Sequence, residues 1–133
     1  MNLLQVIHER WAATAALEDV LSATSVFTGM AFDPTLPFAV IEKNTDNADM
    51  YANDGMSVDS IGVRMQIFHE NHDDGAEILH QVKTAFNRTE FDLSGNDRVV
   101  NMHRTNDFEI QEEDGAWRFV IDFNCRTYLA AGV

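Results

Sequence analysis

The chain is 133 residues long and carries 9 Lys and Arg against 22 Asp and Glu, a formal net charge of −13. That length suits one domain spanning residues 1–133, able to build a core without disulfide or metal staples, and the 45% hydrophobic content excludes general disorder. One cysteine, Cys125, excludes an internal disulfide framework and a Cys-rich zinc centre, while the acidic balance excludes gripping of nucleic acid or of anionic membrane, both of which need clustered cations.

Residues 1–28 contain no Gly or Pro, and Leu4, Ile7 and Trp11 follow helical spacing, continued by Leu17 and Leu21 after an Ala-rich stretch. This predicts a helix over residues 2–22 with an interruption near Thr14. Trp11 reads as core, or as an anchor against a neighbouring subunit. Val26 and Phe27 begin a short strand, and Gly29, Asp33, Pro34 and Pro37 then mark a turn-rich segment. The apolar run Phe38–Ile41 reads as a buried strand. Residues 43–57 show no usable period and read as a long loop, of the kind that is functional or mobile. Its apolar residues Met50, Tyr51 and Met56 have two readings, anchoring onto their own domain or contact with a partner subunit.

Ile61, Val63, Met65 and Ile67 alternate with Ser60, Gly62, Arg64 and Gln66, the pattern of a half-buried strand. Asp74 with Glu77 resembles a capping box, and Ile78, Leu79, Val82 and Phe86 form an apolar stripe, which predicts a second helix over residues 73–87. Ser94-Gly95-Asn96-Asp97 has turn composition. In the strand beginning near Val99, residues Val100, Met102, Phe108 and Ile110 share a phase, with polar Arg104 and Asn106 suggesting a bulge or break. Asp114-Gly115 signals a hairpin, and Trp117, Phe119, Ile121, Phe123 and Cys125 alternate along the last strand. The expectation is an α+β fold: a mostly antiparallel sheet with two α-helices packed on one face.

Few residues suggest chemistry. His69-Glu70-Asn71-His72-Asp73-Asp74 concentrates possible ligands, but its histidines are three apart at a strand-to-helix junction, unlike the helical His pair four apart of zinc proteases. His8, His80 and His103 lack evident catalytic partners. Cys125 reads as a buried small hydrophobe. No phosphate-binding glycine loop is present, and the segment around Asp54-Gly55 fails calcium-hand spacing because Met50 stands at the first ligand position. Glu112 and Glu113 beside a tight turn read as solvent-facing. The sequence therefore nominates no catalytic, cofactor-binding or metal residue, and no enzyme. Its acids gather as Asp107, Glu109, Glu112, Glu113 and Asp114, and as Glu42, Asp46, Asp49, Asp54 and Asp59. Three readings stand: a solvated surface, a negative surface over which DNA slides, or a mimic of DNA charge that inhibits a basic protein.

An N-terminal helix leads to Pro37-Phe38-Ala39-Val40-Ile41. Then Gln66-Ile67-Phe68-His69 precedes Gly75-Ala76-Glu77 at a helix start, and Asp114-Gly115-Ala116-Trp117-Arg118 turns into a long final strand. Together these resemble the tail-terminator, or tail-completion, family of long-tailed phages, prophages and gene transfer agents, over nearly the whole chain. Head–tail connectors and minor tail proteins have related folds, and such a role is the alternative reading of the resemblance. The resemblance implies a virion structural protein that assembles as a ring, a hexamer, capping the tail tube. Its partners would be the tail tube protein and a head-completion or connector protein, with DNA passing through the lumen unbound. It implies location in the phage tail, with assembly in the host cytoplasm, and it carries over no catalytic residue. Met50, Tyr51 and Met56 are the nominated subunit interface.

Overall fold

The computed structural model describes residues 3–31, 33–51, 55–93 and 95–130. Among them, three α-helices and six strands form an α+β fold: α1 (Leu3–Ala13), α2 (Ala15–Val20), a 3-10 turn (Ala23–Ser25), β1 (Val26–Thr28), β2 (Phe38–Tyr51), β3 (Ser57–His69), α3 (His72–Phe86), β4 (Thr89–Asp92), β5 (Arg98–Gln111) and β6 (Trp117–Leu129). The first helical stretch is two helices because Thr14 is extended (φ −99°, ψ 106°). Its hydroxyl donates back to Arg10 O, and its carbonyl starts α2 by accepting from Leu17 and Glu18. Trp11 is fully buried, and its indole N–H donates to Leu21 O at 2.8 Å, so the core reading of this residue holds. The cap of α3 is Asn71, whose side chain accepts from Asp74 N. This starts the helix at His72 rather than within the expected Asp74–Glu77 box.

The strands form one sheet in the order β1-β2-β3-β6-β5-β4. It is mixed, against the mostly antiparallel sheet expected. Val26 pairs with Ala39 and Thr28 with Ile41, so β2 runs parallel to β1, while the other neighbouring pairs are antiparallel. The expected loop at 43–57 is also corrected. Residues 43–51 complete β2 and pair with β3 as far as Tyr51 opposite Ser57. Two bulges, between Lys43 and Thr45 and between Ala48 and Met50, each shift the side-chain phase by one residue. With residues 43–50 all exposed, no apolar face marks them as strand.

The core joins Ile7, Trp11 and Leu17 with Ile78, Val82 and Phe86 of α3 and with odd-numbered strand residues: Ala39 and Ile41, Ile61 to Ile67, and Phe119 to Cys125. Gly75 lets α3 approach β6, since a Cβ there would lie 2.3 Å from Phe119 Cε2. In β5, bulges between Val99 and Asn101 and between Arg104 and Asn106 split the apparent common phase. Met102 lies opposite Cys125 and is buried, whereas Phe108 and Ile110 lie opposite Val120 and Arg118 on the other face.

Candidate interaction face

The even-numbered face of the sheet is laid out by register: Phe38, Val40 and Glu42 of β2, then Phe68, Gln66 and Arg64 of β3, then Arg118, Val120 and Asp122 of β6. Its middle is a polar lattice. Gln66 Nε2 donates to Glu42 (2.8 Å), and Arg118 donates to Gln66 Oε1 (3.2 Å). Arg118 Nε stands 2.9 Å from Glu112 Oε1, an ion pair whose N–H does not point at the oxygen. Glu112 is thus half-buried against a cation rather than purely solvent-facing as its sequence position suggested. Arg64 meets Asp122 through two parallel bonds of 2.8 and 3.1 Å, and its guanidinium also lies 5.9 Å from the Phe108 ring centre. Val40 and Val120, between these residues in the register, are buried.

The two ends of this face differ in chemistry. Where β2 begins and β3 ends, Phe38 stacks on Phe68 with centroids 4.6 Å apart and Phe27 meets Phe38 edge-on. Phe38 and Phe68 floor an open groove of about 760 Å³, walled by Pro34 and Leu36 and rimmed by Glu112, Glu113 and Asp114 of the β5–β6 turn. At the opposite end Met50, Met56, Val58 and Tyr128 cluster, with Met50 59% exposed and the Tyr128 hydroxyl directed at Met56 Sδ. Arg98 lies over the Tyr128 ring. Tyr51 is placed by its backbone, opposite Ser57. Of the three nominated interface residues, the structure therefore brings Met50 and Met56 together at one end of the face.

The acidic groups resolve differently from one another. Asp107 accepts from Lys83 and Arg104, which hold its carboxyl below the ordinary range although burial alone would raise it. On the core face, Asp59 is covered by its neighbours at the thin end of the sheet, and its Oδ1 has no hydrogen-bond partner. Burial, then the adjacent Asp46 carboxyl, pushes the Asp59 pKa up. Asp49 accepts from Ser60, and Asp54 lies outside the described residues.

The histidine-rich junction is likewise taken apart. His72 bonds Asp73 and Glu109 and meets Trp117 edge-on, and those carboxylates, Asp73 first, raise its pKa. His69 Nδ1 accepts from the Asn71 amide instead. His8 Nε2 lies 2.9 Å from Ala23 O and 3.0 Å from Val26 O, tying α1 to the 3-10 turn. Cys125 is fully buried, with its thiol pushed up to about 12 by burial. Among the described residues no group of three or more His, Cys, Asp or Glu is arranged to hold a metal ion, and no helix is long and apolar enough to cross a membrane. Sequence reasoning missed the Phe38–Phe68 groove. Both phenylalanines were visible, but only register puts them side by side.

A broad sheet face with a polar lattice between an aromatic groove and a methionine cluster defines a protein suited to working by contact with other proteins. The chain belongs to the tail completion protein gp17 family, whose model matches residues 5–128, and is thus a structural protein of phage tails. No curated protein sequence matches it significantly. Its fold is shared with a chain of a solved structure described as "Virion of native gene transfer agent (GTA) particle". The TM-score is 0.75, over 96% of this chain and 95% of that one, at 13% identity.

Proposed function

We propose that this protein acts as one domain that closes head-to-tail into a ring, a hexamer, on the end of the tail tube. There it stops tube growth and presents a surface to a head-completion or connector protein. The observation that carries this reading is the family match along residues 5–128. The fold likeness to a chain from a gene transfer agent virion is consistent with a place in the phage particle, reached after assembly in the host cytoplasm. Net charge supports passage of DNA through the lumen without binding, because a surface 13 charges to the negative side repels phosphates. Helices sharing one face of the sheet would leave the other for contacts. The single parity of the core residues on β3 and β6 supports that arrangement. Met50, Tyr51 and Met56 remain the proposed subunit contact, and a closed ring needs heterologous patches of this kind.

The test is solution mass by light scattering over a concentration series, with negative-stain images, alone and with purified tail tubes. The expected result is a closed ring near six subunits, free or on tube ends, with a hole of about 20 Å or more, enough for duplex DNA. A chain that stays monomeric and neither binds tube ends nor halts their growth would overturn the reading.

A further inference from the structure

The groove and the methionine cluster lie on the same face of the sheet at opposite ends of β3. Phe68 and Val58 mark the two positions, about 33 Å apart along an extended strand. Their chemistries are complementary. The groove offers a stacked aromatic floor and two exposed acids, Glu113 and Asp114. The other end offers Met50, more than half exposed, beside Arg98 and Arg126. Both arginines are exposed, and neither forms an ion pair among the described residues. Of the carboxylates at that end, Asp49 and Asp97 already accept from Ser60 and the Ala130 amide, and Asp92 stands opposite Arg98 in the β4–β5 register without an ion pair to it. Thioethers are flexible, polarizable groups that pack favourably against aromatic rings, and the two arginines match Glu113 and Asp114, which form no ion pair among the described residues although Asp114 accepts from the Ala116 amide.

We propose that the groove floored by Phe38 and Phe68 receives the Met50 end of a second copy of this chain, with Arg98 and Arg126 of that copy meeting Glu113 and Asp114. The contact is heterologous, using different patches on the two copies, and it propagates from copy to copy when each copy docks on a different neighbour; a doubly substituted chain whose cross-linking stops at a covalent dimer would instead mark a reciprocal two-fold pair and overturn the propagating contact. This inference rests on the reading of the chain as a self-assembling ring and supplies the two surfaces that ring would join.

Variants that each add one cysteine, cross-linked with a short bis-maleimide, test it. Met50→Cys sits on one patch, Leu36→Cys in the other, and Met30→Cys, on a residue 74% exposed, serves as control. The native Cys125 is buried and does not compete. An equimolar mixture of the Met50→Cys and Leu36→Cys chains is expected to cross-link about tenfold faster than Met50→Cys with Met30→Cys, because docking raises the local concentration of the paired thiols. One chain carrying both substitutions should give a covalent ladder. Glu113→Lys with Asp114→Lys, or Arg98→Glu with Arg126→Glu, should each remove the enhancement, and mixing the two charge-reversed chains should restore it. Rates within about twofold of the control, or self-linking of Met50→Cys as the dominant product, would overturn the contact. Images of the unmodified protein separate the two ideas. Rings without the enhanced cross-link refute this contact alone, whereas a ladder from open chains that never close refutes the ring alone.

Discussion

Gly75→Ala isolates the close approach of α3 to the sheet. The added Cβ would stand 2.3, 3.0 and 3.1 Å from three atoms of the Phe119 ring, where ordinary contact begins at 3.4 Å. The worst overlap is therefore about 1.1 Å (3.4 − 2.3), at a ring only 1% exposed. The ring cannot swing into solvent, so α3 must lift or Phe119 must leave its rotamer. Overpacking of this kind costs about 1–3 kcal/mol. Against it stands the helix preference of Ala over Gly, at most about 1 kcal/mol and less in a first turn. The expected net loss is about 1–2 kcal/mol, and each kcal/mol lowers the melting temperature of a domain this size by about 3–5 °C. Urea unfolding of the single variants and of Gly75→Ala with Phe119→Leu completes a double-mutant cycle. With the smaller Leu side chain, the cost of Gly75→Ala should fall to less than about half. An alanine variant as stable as the parent, or equal costs in the two backgrounds, would refute the steric argument.

Two further outcomes concern protons. Asp59 has a folded pKa above its ordinary 3.8, so the folded state prefers its protonated form. The stability this group allows is whole below pH 3.8 and is lost as pH rises through the folded value. Asp59→Asn should accordingly stabilise the protein at pH 7, by about 1 kcal/mol for a buried oxygen relieved of its charge. That gain should vanish on acidification, and chemical denaturation across pH will read it. His72 is also raised, from 6.5, by Asp73 and Glu109. Its contribution is full below pH 6.5 and fades as pH rises through the folded value. NMR titration should place His72 above 6.5 and move it down in Glu109→Gln, and an unchanged midpoint would remove Glu109 from the explanation.

The elements written most plainly in the sequence are those with one wet and one dry face. Ile61 to Ile67 and Phe119 to Cys125 alternate because their odd-numbered side chains enter the core, and Ile78, Val82 and Phe86 recur at helical spacing for the same reason. Trp11 and Cys125 are buried as their surroundings in the chain implied. The distal half of β2 could not be read this way. It lies beyond the core, exposes residues 43–50, and changes phase at two bulges, so no periodic apolar signal exists to find. Backbone pairing with β3 makes it a strand.

The candidate interaction face shows the same division. Met50 and Met56 stood out as apolar residues in a polar stretch, but their companion Tyr128 lies 72 residues from Met56 and joins them through pairing with Val58. Phe38 and Phe68 are 30 positions apart and stack because the β2–β3 register sets them opposite. Met102 and Phe108 share a parity, and a bulge at Thr105 alone sends one into the core and the other to the opposite face. Local periodicity and composition thus determined the helices, the half-buried strands and the family resemblance, since each depends on neighbours along the chain. Register, bulges and strand order decided which surfaces exist, because a one-residue shift in pairing turns a side chain from one face of a sheet to the other.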